Sequence, residues 1–316
     1  MKAAVINKFG EPDVFVIKDM PKPVLIKNDD VLIKVMASSI NPVDCKSRRG
    51  NHKYILGSKF PIILGYDASG EVVETGSEVT NFQKGDQVYG RLNRKYGQAY
   101  AEYAIGSQKV FAKKPDRIPH EVAAAIPLAA LTALQGLWFK GRIKEGQKVL
   151  IIGASGGVGH FALQLVKFFG GISTAVCSSK HEKMLNDLKP DFFIDYLKED
   201  FKQSNEKYDI IFDVIGHESF LTCKNLLKPK GTYITTLPRP KVFFHQFLSL
   251  FTNRKKVRTF LMRPNGKDLD LLNKLILSNK FKVYIDKVYS LDQIADAHRY
   301  SESGKTEGKI VIKVTY

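Results

Sequence analysis

Cysteine is scarce in this sequence. The chain has three cysteines among 316 residues, and none of them lies at the CxxC spacing typical of thiolate metal sites. A disulfide framework is therefore not expected, and we expect the three thiols to be small buried side chains in a reducing compartment. These cysteines are Cys45, Cys177 and Cys223.

Long apolar runs are also missing. No stretch of about eighteen apolar residues occurs, so the sequence predicts no transmembrane helix. The segment Met1–Phe9 runs directly into a strand-like pattern and has neither the apolar core of a signal peptide nor the Arg/Ser-rich pattern of a transit peptide. These features predict a cytoplasmic protein.

Acidic residues are too few to balance the basic ones. Thirty-two Asp and Glu stand against 49 Lys and Arg, which gives a net charge of +17 at pH 7. Such a field attracts nucleotide cofactors, nucleic acid and anionic membrane surfaces alike. Because the lysines are spread along the whole chain, a generally solvated basic surface is favoured over a dedicated polyanion partner.

The character of the chain changes near Pro115. The first ~110 residues show short strands punctuated by Gly and Pro, as in a compact β-barrel. Beyond that point, strands and helices alternate, and the strands are almost continuously apolar. This alternation predicts an α/β fold with a doubly wound parallel sheet buried on both faces.

The strongest local motif is the glycine loop in residues 149–160. A buried strand ends, a glycine-rich turn follows, and an apolar helix begins, so that backbone N–H groups can face a pyrophosphate. Against the GxGxxG pattern, Ala154 takes the first glycine position, while Gly156 and Gly159 keep the second and third. The ordered context still predicts a dinucleotide site.

The residues after the next strand favour NADP(H) over NAD(H). An NAD site places an Asp or Glu there to bind the ribose hydroxyls. This chain has Ser178, Ser179 and Lys180 instead, with Lys183 one turn later. Hydroxyl and ammonium groups suit a 2′-phosphate. The alternative reading is a solvated helix start, and Glu182 could reach back to a ribose.

Motifs along nearly the whole chain resemble the quinone oxidoreductase and enone reductase branch of the medium-chain dehydrogenase/reductase superfamily. The matching segments are Ser39–Lys46, Pro61–Gly70, Lys84–Gly90, Pro127–Leu137, Gly153–Gly159, Ile194–Tyr196 and Gly308–Ile312. The resemblance implies a GroES-like, β-barrel-type catalytic domain over residues 1–118 and 265–316. It also implies a Rossmann NADP-binding domain over residues 119–264, a cofactor in the cleft between the domains, and a homodimer.

The same resemblance assigns roles to individual residues. Asn41 and Thr132 would face the nicotinamide half of the cofactor, and Lys46 would bind near the nicotinamide or the substrate. The loop residues Ser155, Gly156, Gly157 and Val158 would hold the pyrophosphate. The adenosine phosphate would be bound by Ser178, Ser179, Lys180, Lys183 and Tyr196.

Two positions separate this chain from the zinc alcohol dehydrogenases of the superfamily. Asn41 stands where those enzymes have a zinc-binding cysteine, and Tyr66 stands where they have a histidine. The four closely spaced cysteines of their structural zinc lobe are missing as well. Because zinc sites need several thiolate or imidazole ligands, no metal is expected here.

A reductase without a Lewis acid is best suited to substrates that are already electron-poor. We therefore expect NADPH-dependent hydride transfer to a quinone or an α,β-unsaturated carbonyl compound. Donors near the carbonyl oxygen would stabilise the developing charge, and Asn41, Lys46 and Tyr66 are the candidates. Tyr66 could instead be a core aromatic residue, and Lys46 could be a surface residue.

One segment leaves other functions open. Residues 238–258 combine phenylalanines, including Phe251, with a basic cluster from Arg254 to Arg258. This composition suits an apolar wall for a substrate or partner subunit. It also suits an anionic membrane surface or a nucleic acid. The first alternative to the quinone or enone reductase is therefore an NADPH-binding protein with a nucleic-acid or membrane-surface role. A separate alternative is an NADPH-dependent aldehyde or alcohol oxidoreductase.

Overall fold

The fold is taken from a computed structural model, which describes residues 1–250 and 254–315. Its strands are β1 (Lys2–Ile6), β2 (Phe15–Asp19), β3 (Asp30–Ile40), β4 (Ile62–Ile63), β5 (Asp67–Thr75), β6 (Gln87–Arg91), β7 (Tyr103–Ser107), β8 (Phe111–Lys113), β9 (Lys148–Ile152), β10 (Ile172–Cys177), β11 (Phe192–Asp195), β12 (Tyr208–Asp213), β13 (Leu227–Thr235), β14 (Lys256–Thr259), β15 (Ile285–Ser290) and β16 (Lys309–Lys313). Its helices are α1 (Pro42–Arg48), α2 (Lys53–Leu56), α3 (His120–Ala124), α4 (Pro127–Leu134), α5 (Gly159–Phe168), α6 (Glu182–Leu188), α7 (Phe220–Cys223), α8 (Pro240–Leu250), α9 (Gly266–Leu277) and α10 (Ile294–Glu302).

The chain divides into two compact units, and each has its own core. Unit 1 consists of Met1–Leu131 with Pro264–Tyr316, and unit 2 consists of Thr132–Arg263. The sequence placed the first boundary after residue 118 instead. Helix α3 lies in unit 1 because Ala124 and Ala125 are buried against Ala37 of β3 and Val311 of β16.

Unit 1 is a β structure built on two sheets. The larger sheet has the order β15–β16–β3–β5–β6–β8, with β7 paired to β3, and a smaller one has the order β2–β1–β4. The pairs of β3 with β5, β7 and β16 are antiparallel. The central strand β3 is buried almost along its whole length, and Ile33 and Val35 lie in the main hydrophobic core. This is the arrangement of a GroES-like domain.

Unit 2 is a six-stranded parallel sheet with the order β11–β10–β9–β12–β13–β14. This order has the reversal point of the Rossmann fold between β9 and β12. Strand β9 is apolar and buried from Val149 to Ile152, as a strand covered on both faces requires. The predicted α/β class, with one GroES-like and one Rossmann part, is confirmed.

The elements of unit 2 follow the sequence pattern more closely than those around it. The apolar runs of the sequence predict strands at Lys148–Ile152, Ile172–Cys177 and Phe192–Asp195, and β9, β10 and β11 have these bounds. The Ala- and Leu-rich sequence of residues 121–140 predicts one helical stretch, but these residues form α3, then α4 and a wide helical turn over residues 135–141. Helix α4 begins at Pro127, whose missing N–H makes it a natural start and not a helix interior.

Candidate functional site

A buried carboxylate organises one end of the larger sheet in unit 1. Asp67 is fully buried at the start of β5. Its Oδ2 accepts hydrogen bonds from the Ser39 hydroxyl (2.8 Å) and the Asn41 amide (2.9 Å), and its Oδ1 accepts one from the Leu128 backbone N–H (2.9 Å). Three donors satisfy this carboxylate, which fixes the ends of β3, β5 and α4 relative to one another within the unit.

A buried lysine sets the orientation of the Asn41 side chain. Lys309, at the start of β16, is 3% exposed and donates to the Asn41 Oδ1 (2.5 Å) and the Ile40 carbonyl (3.1 Å). Its Nζ lies 3.8 Å from the Asp67 Oδ2. An ammonium can only donate and a carboxylate can only accept, so the amide oxygen of Asn41 must face Lys309 and its nitrogen must face Asp67. Burial lowers the pKa of Lys309, and Asp67 opposes this.

Helix α1 brings a second carboxylate to the same place. Asn41 is extended just before Pro42, and its backbone N–H donates to the Asp44 Oδ2 (2.8 Å). Asp44 thus caps the first turn of α1, where a negative charge is favourable. Burial nevertheless raises the pKa of Asp44 to about 7, with the Asn41 backbone hydrogen bond opposing the rise.

The other two candidates for contact with a substrate, Tyr66 and Lys46, differ in exposure. Tyr66 is 5% exposed, and burial raises its pKa, so its phenol stays protonated at neutral pH. The guanidinium of Arg91 lies over its ring, 4.2 Å from the centroid. Lys46 is half-buried in the last turn of α1. The structure thus brings Tyr66 next to Arg91, while Lys46 shares α1 with Asp44.

Sequence reasoning missed four polar residues of this cluster, namely Ser39, Asp67, Arg91 and Lys309. Three of them lie in the family-like segments quoted above, but they were not singled out. The pairing of strands that are distant in sequence brings three of them together: Ser39 lies opposite Asp67, and Asp67 lies opposite Arg91. Directly opposed residues in antiparallel strands share a face, which the sequence alone does not show.

The glycine loop of unit 2 has different requirements at each glycine. Gly153 has φ +88°, so the left-handed conformation falls on this residue and not on Ala154. A Cβ on Gly159 would lie 2.1 Å from the Gly153 carbonyl oxygen, so only glycine fits there. A Cβ on Gly156 would meet that oxygen only at 3.5 Å, an ordinary contact. Gly156 is therefore not demanded by protein packing, and its missing side chain leaves room for a ligand.

The residues around this loop keep it in place. His160 is fully buried, and its Nδ1 lies 3.0 Å from the Gly156 carbonyl oxygen, to which it donates. The predicted pyrophosphate residues Ser155, Gly156, Gly157 and Val158 come just before α5, which begins at Gly159. Backbone N–H groups at a helix start are suited to bind phosphate oxygens, so these residues fit a dinucleotide. Thr132 is buried in α4.

The end of β10 carries hydroxyl and ammonium groups. Ser178 is buried, and its Oγ accepts from the Lys180 backbone N–H (3.3 Å). Lys180 and Lys183 are exposed, and Tyr196 is 55% exposed. A shallow pocket beside them is lined by Ser179, Glu182, Leu185, Asn186, Lys189, Pro190, Phe193 and Lys198. Two further lysines, Lys189 and Lys198, thus line the same pocket as Ser179.

A carboxylate at the end of the neighbouring strand β11 is already hydrogen-bonded. Asp195 ends β11, and hydrogen bonding from the Ser179 hydroxyl lowers its pKa, with the Leu197 backbone N–H adding to the effect. Glu182 is the first residue of α6 and is exposed. The ribose-binding acid of NAD sites therefore has no counterpart at the end of β10 itself.

Residues 238–258, the segment that combines phenylalanines with a basic cluster, include helix α8 and the start of strand β14. Along α8, Phe243, Phe244, Phe247 and Leu248 are between 45% and 61% exposed. Phe251 lies outside the described residues. Among the described helices, none is long and apolar enough to cross a membrane.

Within residues 1–250 and 254–315, no group of three or more His, Cys, Asp or Glu side chains is placed to hold a metal ion. None of the three cysteines forms a disulfide, and all three are buried.

Comparisons with known proteins assign the chain to a superfamily. Residues 27–116 match the alcohol dehydrogenase GroES-like domain, and residues 188–312 match the zinc-binding dehydrogenase family. A 2-methylene-furan-3-one reductase of Solanum lycopersicum is 34% identical over 99% of this chain and 79% of its own length. The chain belongs to the medium-chain dehydrogenase/reductase superfamily of nicotinamide-dependent oxidoreductases.

Its place within that superfamily follows from further relatives. An NADPH-dependent alkenal/one oxidoreductase of Arabidopsis thaliana is 34% identical over 99% of this chain and 79% of its own length. The solved structure of a quinone oxidoreductase from Coxiella burnetii has a TM-score of 0.92 and 33% identity, and the match covers 100% of this chain and 99% of that one. The branch of quinone oxidoreductases and enone reductases inferred from the motifs is confirmed.

Proposed function

We propose that this chain is a reductase that uses NADPH, without zinc, to deliver hydride to quinones or α,β-unsaturated carbonyl compounds. The observation that carries the proposal is Asn41. It takes the place of a zinc ligand, and Asp67 and Lys309 hold its amide in one orientation. Relatives named as reductases of methylene-furanones and alkenals match nearly the whole chain, which supports the same substrate class.

NADPH is proposed over NADH because of the groups at the end of β10. Ser178, Ser179, Lys180, Lys183 and Tyr196 are the residues that would bind the adenosine phosphate. A carboxylate at the end of β10 would repel the phosphate, and none stands there, since Asp195 ends the neighbouring strand β11. Residues Ser155 to Val158 would bind the pyrophosphate. When bound, NADPH supplies the hydride.

The residues of unit 1 would bind the substrate carbonyl oxygen. As hydride reaches the β-carbon of an enone, negative charge builds on that oxygen, and hydrogen-bond donors stabilise it. Asn41 has a second amide N–H besides the one that it gives to Asp67. Lys46 and the protonated phenol of Tyr66 are the other proposed donors. Thr132 is proposed to face the nicotinamide, and water delivers the proton to the α-carbon.

The test is NADPH oxidation, followed by absorbance, with a panel of enones, quinones and simple aldehydes. We expect saturable turnover of enones or quinones by protein dialysed against a chelator, little turnover with NADH, and weaker NADPH use by Lys180→Glu. Activity that depends on added zinc would contradict the metal-free mechanism. Reduction of simple aldehydes alone would favour the aldehyde reductase alternative.

A homodimer is also proposed. Strand β14 lies at one edge of the unit 2 sheet, and α8, which precedes it, exposes four large apolar side chains. An open strand edge beside an apolar face is suited to pair with a second copy. Phe244→Glu should give a smaller species in analytical ultracentrifugation, and an unchanged sedimentation coefficient would count against this surface.

Two expectations remain predictions. The cytoplasmic location is to be checked by cell fractionation. A nucleic-acid or anionic-membrane role, which the net charge of +17 leaves open, predicts RNA or anionic-vesicle binding that falls steeply with salt.

A further inference from the structure

Arg91 is a cation that neither the sequence analysis nor the proposed mechanism uses. It is the last residue of β6, and it lies opposite Asp67 in the antiparallel pair of β5 and β6. Asp67 in turn lies opposite Ser39. Opposed residues share a face of the sheet, so the Arg91 side chain projects on the face where Asp67 meets Ser39 and Asn41.

The guanidinium of Arg91 has few partners. Its Nε is buried, and among the described residues no acceptor hydrogen-bonds it. The guanidinium lies over the Tyr66 ring, 4.2 Å from the centroid. A ring face attracts a cation, but it does not take up the five N–H donors of a guanidinium as conventional hydrogen bonds. An arginine placed this way retains donors for a ligand.

Asp67 does not use up these donors. Its two oxygens already accept from Ser39, Asn41 and the Leu128 N–H, and Lys309 lies 3.8 Å from its Oδ2. Other donors therefore take three of the roughly four acceptor sites of this carboxylate.

The local charge balance favours an anion. Two cations, Lys309 and Arg91, lie close to two carboxyl groups, Asp67 and Asp44. Burial raises the pKa of Asp44 to about 7, so near neutral pH it carries its charge in only part of the molecules. Asp67 already faces Lys309, so the guanidinium of Arg91 lacks a fully ionised carboxylate of its own, and a negatively charged ligand would supply one.

We propose that Arg91 is a specificity-determining residue that binds a carboxylate on the substrate, so that the preferred substrates are enones carrying a carboxylate group. A guanidinium offers two parallel N–H donors that match a carboxylate, whereas a neutral carbonyl oxygen takes only part of them. The inference rests on the proposed reductase function and narrows its substrate class. Arg91 lies at the end of β6, a strand that carries none of the residues predicted to be catalytic.

A matched pair of substrates tests this inference. Acetylacrylate and its methyl ester carry the same enone, but only the former has a carboxylate. Arg91→Met should raise KM for acetylacrylate by about 10- to 100-fold, the loss of one charge-assisted hydrogen-bonded pair, and leave KM for the ester within about twofold. Arg91→Lys should recover part of the loss. Arg142→Met, at an exposed arginine of unit 2 to which no role in binding is assigned, is the control and should change neither value.

Two outcomes would overturn the proposal. Equal losses on the acid and the ester would show that Arg91 acts only through the packing of Tyr66, and equal KM values for the two compounds in the unaltered protein would show that no carboxylate is selected.

Calorimetry with levulinate, the saturated analogue, separates this inference from the proposed function because it needs no turnover. Binding by the unaltered protein that Arg91→Met loses would support the carboxylate site even if no substrate were reduced. Binding that Arg91→Met retains would refute it. Absence of NADPH oxidation with every compound would count against the reductase function alone.

Discussion

The polar cluster of unit 1 and the glycine loop of unit 2 are two candidate binding sites that are built in opposite ways. Around Asp67, side chains from β3, β5 and β16 satisfy one another's hydrogen bonds out of water. In the loop from Gly153 to Gly159, the backbone would face the proposed ligand, and the absence of a Cβ would make room for it. The first site depends on which polar group stands at each position, and the second on the absence of atoms.

This comparison predicts the largest loss for Asp67→Ala. The change leaves three donors without their acceptor and the buried Lys309 without its counter-ion, which should cost about 3–5 kcal/mol of the free energy of unfolding. Urea denaturation measures this. Asp13→Ala is the control, since Asp13 pairs with Arg299 at the surface and its loss should cost less than about 1 kcal/mol. Similar losses for both variants would refute the central role of Asp67.

Asp44 should make the stability of unit 1 depend on pH. Its pKa is about 7 in the folded chain and 3.8 for an unperturbed aspartate, as in the unfolded chain. Between these values the unfolded state has released a proton that the folded state keeps, so stability falls as pH rises from about 4 to about 7, by a few kcal/mol in all. Asp44→Asn should flatten this fall, because the amide oxygen still accepts from Asn41 but carries no charge. A parallel pH dependence in both proteins, measured by urea midpoints, would contradict the assignment.

In the glycine loop, Gly159→Ala should damage the fold itself. The new Cβ would lie 2.1 Å from the Gly153 carbonyl oxygen, so the loop or the start of α5 must shift, at about 1–3 kcal/mol. A lowered thermal midpoint together with weaker NADPH binding is the expected result. An unchanged midpoint would mean that the loop adapts without strain.

Gly156→Ala should affect the ligand more than the protein. Its Cβ has ordinary contact with the loop, so the thermal midpoint should stay within a few degrees, while the affinity for NADPH falls by about tenfold because the methyl group occupies ligand space. Fluorescence titration gives the affinity. Full affinity would show that Gly156 does not border the bound phosphates.

Much of unit 2 could be predicted because its signals are local. Strands β9, β10 and β11 are apolar runs between turns, and each is bounded by residues close in sequence. The helix at Pro240–Leu250 escaped prediction because its phenylalanines give it no buried stripe: four large apolar side chains along it are exposed. The extended segments β14 and β15 were missed as well, since both are short and carry charged residues that weaken the apolar pattern.

The candidate site could be predicted only in part. Asn41, Lys46 and Tyr66 were singled out because they replace or accompany residues of a known motif. Ser39, Asp67, Arg91 and Lys309 were not, because a serine, an aspartate or a lysine in a strand usually faces water, and only its partners reveal otherwise. The roles of all these residues stay predictions until the variants are measured.

The sequence by itself determined the alternation of strands and helices, the glycine loop and the exchange of zinc ligands for Asn41 and Tyr66. Each of these features can be recognised from residues that are neighbours in the sequence. Only the tertiary structure decided that Lys309, at the far end of the chain, orients the amide of Asn41, and that Arg91 shares a face with Asp67. These contacts depend on the register of antiparallel strands, which is set by packing over the whole sheet and not by any one segment.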